Sequence, residues 1–244
     1  MSYAALSLYG LAALIIGYSK TAVGGLAVVS VAIFASLLPT RASTAAILML
    51  LIVGDLFAVW HYRRHCDVAL LKALLPSVLP GLALGAGFLA VVDDTVLRRS
   101  IGALLLVLAA VQLLVNARRD RLARLAHHRA SSWAAGLGSG FATMTANAAG
   151  AVMTVYLVAK QVDKVRFIGT SAWFFLGINL AKVPFSIGLG LLTWTDVGRA
   201  MLLAPLIAVG AWLGVQTIRR ISQRTFEILV LTASALSALA LLVR

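Results

Sequence analysis

The stretch Gly17-Tyr18-Ser19-Lys20-Thr21-Ala22-Val23-Gly24-Gly25 decides how this chain is read. It puts a cation, two hydroxyls and three glycines into an apolar run from Tyr3 to Leu38, 36 residues long. As one helix that run would be ~54 Å long, against a bilayer hydrocarbon core of ~30 Å. It is too long for one crossing, so the chain must change course near Lys20. A second break of the same kind follows at Ser139-Gly140-Phe141-Ala142-Thr143-Met144-Thr145-Ala146-Asn147-Ala148-Ala149-Gly150.

Composition fixes the setting. Hydrophobic residues make up 61% of the chain and charged residues 12%, far from the balance of a soluble domain. Apolar segments of roughly 18 residues or more follow one another with short polar connectors, the pattern of an all-α polytopic membrane protein. One integral domain over residues 1–244 is expected. The net charge of +13 would point to nucleic acid in a soluble chain. Here the cations sit in connectors, where they set orientation, so no nucleic-acid partner is expected. The single cysteine, Cys66, excludes an internal disulfide. No basic region precedes the first apolar run, so no cleaved leader is expected.

Between the breaks the segments alternate with turns and basic connectors. The second runs from about Thr44 to Trp60 and carries Asp55, and the third runs from Val68 to Val91. The fourth covers 100–115, and the arginine-rich linker covers 117–130. The second interrupted stretch spans Trp133 to Ala159. The sixth segment, from about Phe167 to Leu192, carries Asn179 and Lys182. The seventh runs from about Val197 to Ile218, and the last from Thr225 to Val243. Asp67, Pro76, Gly81 and Gly85 match Asp196, Pro205, Gly210 and Gly214 at one constant offset. Asp55 matches Asn179, and Gly17 matches Gly140, at slightly smaller offsets. The chain therefore reads as a duplication: repeat one at 1–116, the linker, and repeat two at 131–244.

Loop charge orients the halves. If each interrupted stretch is a hairpin that returns to its starting side, the repeats are inverted. Thirteen connector cations then share one face, and five share the other. If each stretch crosses once, the repeats are parallel and the faces carry nine each. Only the inverted arrangement shows a positive-inside bias, so the basic face is read as cytoplasmic. Leg lengths of ~22 and ~25 Å in the first stretch also suit a re-entrant hairpin. Two long, tilted, kinked spans are the alternative. The expected fold is thus two inverted repeats, each an interrupted or re-entrant helical hairpin plus three transmembrane helices.

Several polar residues then lie at lipid depth. A buried cation costs at least ~2.5–3.5 kcal/mol on insertion scales, so Lys20 should face a cavity or a partner. A helix starting near Thr21 would aim its N-terminus at the same point, with Gly24 and Gly25 allowing close approach. Lys20, Thr21 and that helix end would then form an oxyanion cradle. The alternative is a lysine that snorkels from a tilted helix. Thr143, Thr145 and Asn147 offer donors at the second tip, or else satisfy broken backbone locally. Ser171, Phe175, Asn179 and Lys182 fall within ~80° on one helix face, and Thr44 shares a face with Asp55. Asp55 either neutralises Lys20 or Lys182 or serves as a proton-coupling group. Trp60, Trp194 and Trp212 suit interfacial anchoring. The sequence holds no hydrolase triad, no HExxH and no phosphate loop, and adjacent His127 and His128 make a poor metal site. No enzyme activity, metal or cofactor is expected.

The Gly-x-x-Lys-Thr-x-x-Gly-Gly pattern at residues 17–25, Pro39, Asp55 and Tyr62-Arg63-Arg64 resemble the sulfite exporter TauE/SafE family, also called the toluene-sulfonate uptake permease family. The resemblance continues through Met144–Gly150, Phe167–Ala172 and Asn179–Phe185. It implies a multi-pass inner-membrane transporter of sulfite, sulfoacetate, sulfonates or related anions. Joined to the residue reading, it gives a secondary transporter working by alternating access. The substrate would be held near the midplane by Lys20, Thr21, Gly24, Gly25, Thr143, Thr145, Asn147, Asn179 and Lys182. Asp55 would serve coupling or charge balance, with a proton or cation as coupling partner. An anion channel and a membrane scaffold or sensor are the other readings. A scaffold has no need of three costly buried charges.

Overall fold

The structure is a computed structural model. It describes residues 3–22, 26–38, 40–93 and 128–230, with 95–97, 99, 100, 103, 104, 107, 110, 111 and 232. Gly24, Gly25, Pro39, the linker through His127, most of the fourth segment and most of the last lie outside the described residues, as does the side chain of Thr44.

The described residues form helices and no strands. They are α1 (Tyr3–Thr21), α2 (Ala27–Leu37), α3 (Thr40–Tyr62), α4 (Val68–Val91), α5 (Arg129–Ala146), α6 (Ala149–Ala159), α7 (Lys164–Gly188) and α8 (Trp194–Arg220). A 3-10 turn at Arg63–His65 extends α3. Local chemistry sets several ends. The Asp67 carboxylate accepts from the Ala69 and Leu70 amides and starts α4, as Asp163 does for α7. Thr193 and Asp196 form a reciprocal capping box at the start of α8. Asn147 ends α5 in the left-handed region, at φ 52°, a conformation asparagine tolerates better than most residues.

Both interrupted stretches double back. The Ser30 hydroxyl on α2 donates to the Ala12 carbonyl on α1 at 2.9 Å, and the Tyr9 and Phe34 rings meet edge to face at 5.0 Å. A straight helix would hold Ala12 and Ser30 ~27 Å apart. In the second stretch the hydroxyls of Ser132 on α5 and Tyr156 on α6 are 2.7 Å apart. The returning legs α2 and α6 have 11 residues each, ~16 Å of helix, which is short for a ~30 Å core.

Two expectations about the breaks need correction. The first bend lies after Thr21, so Lys20 and Thr21 occupy the last turn of α1, and no helix starts near Thr21. Gly17 and Gly140 lie inside continuous helices, where they are points of close packing. A β-carbon on Gly17 would overlap the Ile207 carbonyl oxygen of α8, and one on Gly210 would overlap the Leu14 carbonyl oxygen of α1. The same happens between α4 and α5: Gly81 faces the Leu137 carbonyl, and Gly140 faces the Val78 carbonyl. Small residues let helix backbones approach in this way where the hydrophobic effect gives little drive. The hairpin of each sequence half thus lies along a long helix of the other half, at Gly81 and Gly210, which the constant offset pairs, and at Gly17 and Gly140, which match at a slightly smaller one.

The three basic connectors at 61–67, 160–166 and 219–224 meet at one end of the molecule. The Asp67 amide donates to the Thr170 hydroxyl at 2.9 Å, and the Trp173 indole donates to the Arg63 carbonyl at 3.4 Å. The Lys164 amide donates to the Gln223 side-chain oxygen at 2.7 Å. The Lys164 ammonium caps the carbonyls of Ile218 and Ile221. Among the described residues, three stretches are long and apolar enough to cross a membrane: Ala45–His65, Val68–Val91 and Trp194–Arg220. Trp60, Trp194 and Trp212 are exposed on the outer surface.

Candidate functional site

The bend after α1, the bend after α5 and the crossing of α3 with α7 converge on one polar cluster. Lys20 reaches it from the last turn of α1, and Asp55 from the middle of α3. Their ammonium and carboxylate oxygen are 2.7 Å apart, with the lysine side chain 8% exposed and the aspartate fully buried. The second carboxylate oxygen accepts from the Asn179 amide of α7 at 2.6 Å. Asp55 and Asn179, counterparts in the repeat alignment, therefore touch each other. The Lys20 ammonium also lies 4.6 Å from the centre of the Phe175 ring, an added cation–π attraction.

Lys182 lies one turn beyond Asn179 on α7 and is fully buried. Its ammonium donates to the Thr143 carbonyl at 2.7 Å and to the Asn147 side-chain oxygen. These acceptors belong to the C-terminal end of α5, where the helix dipole favours a cation. No carboxylate pairs with Lys182 among the described residues. The cluster therefore holds two lysines and one aspartate.

A cavity of about 50 Å³ adjoins the cluster, with room for roughly three to five water molecules. Its polar wall contains Ser19, Lys20, Thr143, Asn147, Ser171 and Asn179, and Met153, Phe167 and Phe175 supply apolar wall. Ala149, Gly150 and Ala151, the first turn of α6, close another side. The Ala151 amide donates to the Ala148 carbonyl at 3.2 Å, whereas the Ala149 and Gly150 amides have no intrahelical carbonyl to bond, and the positive end of the helix dipole is there. The Ser171 hydroxyl is buried in this wall and makes no hydrogen bond among the described residues.

The structure thus gathers Lys20, Asp55, Asn147, Asn179, Lys182 and Thr143 into one site. The stripe Ser171–Phe175–Asn179–Lys182 faces it along its whole length. Thr21 and Thr145 turn elsewhere. The Thr21 hydroxyl donates to the Ala211 carbonyl of α8 at 2.8 Å, and that of Thr145 donates to the Phe141 carbonyl at 2.9 Å. Each is occupied by backbone. The helix end that faces the cavity is the start of α6, not a start near Thr21. Ser171 and Phe175 were legible from the stripe as wall residues but had not been assigned to the site. Ser19 and the first turn of α6 are further additions, and their signal was their place beside the two breaks.

An all-helical membrane protein with a buried, predominantly cationic cluster beside a small cavity has the attributes of a small-anion transporter. The chain belongs to the Sulfite exporter TauE/SafE family, whose family model matches residues 9–241. Membership makes it a membrane transporter of the sulfite and sulfonate type and implies a small anionic substrate. No curated protein and no solved structure matches the chain.

Proposed function

We propose that the protein is a secondary transporter, exporter or permease, of a small sulfur-containing oxyanion, working by alternating access across the inner membrane. The observation that carries this reading is the charge imbalance beside the cavity: Lys20 and Lys182 against Asp55 alone. Two buried cations and one anion leave a charge that a monoanionic substrate would balance. The Ala149 and Gly150 amides of α6 and the Ser171 hydroxyl would receive its oxygens, as helix N-termini do for anions generally. The cavity volume suits sulfite, with four heavy atoms, better than sulfoacetate or an aryl sulfonate.

Asp55 serves charge balance in this reading, holding Lys20 when the site is empty. Energy comes from the substrate's own gradient or from a coupling proton or cation. The two hairpins are re-entrant, and the halves are inverted repeats within one integral domain that crosses the bilayer several times. Three observations support that arrangement. The stretches double back, the close glycine crossings α1–α8 and α4–α5 use glycines matched between the halves at similar offsets, and the basic connectors share one end. Rocking of one half against the other would alternate access to the site.

The test is uptake of radiolabelled sulfite and sulfoacetate into proteoliposomes. Wild type should give saturable flux, faster with sulfite. Lys20→Ala and Lys182→Ala should each reduce it at least tenfold, since a charge-assisted hydrogen bond contributes about 1.5–3 kcal/mol. Saturable flux that is unchanged in both variants contradicts the site. Flux that does not saturate favours a channel.

A further inference from the structure

A second concavity lies between α3 and α8, on the far side of the first hairpin tip. It encloses about 320 Å³ and is open to one side. Along α8 its wall is Ala208, Ala211, Val215 and Arg219, spaced to share one helix face over ~16 Å. Along α3 the wall is Phe57, Trp60 and His61, again one face. The groove is apolar at depth and becomes cationic at Arg219, beside the His61 imidazole, at the end where the basic connectors meet. It has no acidic residue in its wall. Arg219 has no acidic partner among the described residues. Trp60 and Trp212, 71% and 60% exposed, flank the opening, as indoles do at the headgroup level of a bilayer.

We infer that this groove binds one anionic phospholipid, with its phosphate at Arg219 and His61 and an acyl chain along Ala208–Val215. Length, depth and charge all fit that shape, and basic pockets between membrane helices recognise anionic headgroups in this way. A free phosphate would engage the cationic end and leave the apolar length empty. A zwitterionic lipid would bring no net charge to Arg219. The bound lipid would also reach the transport cluster. Thr21 forms part of the groove wall, its carbonyl accepts from the Tyr62 hydroxyl at 3.1 Å, and its neighbour is Lys20. An occupied groove would therefore brace the turn that carries Lys20.

The experiment reads binding, not flux, so it stands apart from the transport reading. Delipidated protein in detergent is titrated with phosphatidylglycerol, phosphatidylcholine or inorganic phosphate, and thermal unfolding is followed. Phosphatidylglycerol at about a hundred times its Kd should raise Tm by roughly 5–10 °C, and the other two should raise it far less. The double variant Arg219→Gln, His61→Gln should lose that increment. An equal response to phosphatidylcholine or to phosphate, or an increment retained in the variant, overturns the proposal. If the variant does not fold, quenching of tryptophan fluorescence by brominated lipid takes its place. Brominated phosphatidylglycerol should quench more than brominated phosphatidylcholine, and the double variant Trp60→Phe, Trp212→Phe should abolish the difference. Equal quenching, or a difference that survives the loss of both indoles, overturns it.

Discussion

Lys20 and Lys182 are held by different chemistry, and the difference predicts how each residue tolerates change. Lys20 leans on a carboxylate. Lys182 leans on a helix-end carbonyl and an amide oxygen. Asp55→Asn would leave Lys20 buried without its counter-charge, a loss of about 3–5 kcal/mol. The thermal midpoint should fall by roughly 10 °C. The paired variant Lys20→Met, Asp55→Leu should recover most of that midpoint, because replacing both members of a buried pair with apolar side chains is often neutral. It should not recover sulfite flux. A paired variant that transports would show that the pair is only structural. At this scale the sequence was informative: helical spacing alone put Ser171, Phe175, Asn179 and Lys182 on one face. The partner of each lysine was not legible, because the choice depends on how α3 crosses α7 and where α5 ends.

At the scale of elements, glycine was the residue most easily misread. In water, a glycine inside an apolar helix reads as a weak point. Between membrane helices it reads as a contact, and Gly17 and Gly140 proved to be contacts. The bends lie a few residues further along, after Thr21 and at Asn147-Ala148. The third segment, by contrast, runs over Val68–Val91 as its apolar length suggests, and the structure shows Asp67 capping its start. The packing role gives a graded prediction. Gly17→Ala, Gly81→Ala, Gly140→Ala and Gly210→Ala each drive a methyl into a neighbouring backbone and should abolish the monodisperse peak in size-exclusion chromatography. Gly177→Ala and Gly198→Ala, which meet nothing within 4 Å, should leave it unchanged. Loss of the peak in all six variants would deny the crossings their special role.

Across the whole molecule, the matched spacing of the two halves and the charge bias are legible before any coordinates, because both are written in spacing and in loop composition. The crossed packing of each hairpin on the other half was not, since no local pattern encodes which distant helix a glycine face will meet. The native Cys66 tests the arrangement. The proposed inversion puts 61–67 and 160–166 on the cytoplasmic side together, whereas parallel repeats put them on opposite sides. Cys66 and a cysteine at position 161 (Gln161→Cys, in a Cys66→Ser background) should both react with an impermeant maleimide in inside-out vesicles and not in intact cells. Burial, aided by the Asp67 charge, holds the Cys66 thiol above its ordinary pKa. The reactive thiolate is therefore scarcer at neutral pH than for a free thiol, and labelling should accelerate as pH rises into the alkaline range. Reaction of the two cysteines from opposite sides would contradict the inversion.

In the proposed site the buried lysines, Ser171 and the start of α6 together hold one anion. Equilibrium binding of radiolabelled sulfite to purified protein, under anaerobic conditions, tests it most directly. Wild type should show one saturable site, Ser171→Ala roughly tenfold weaker binding with an unlowered thermal midpoint, and Lys182→Met no measurable binding. Binding of undiminished affinity in both folded variants would contradict it.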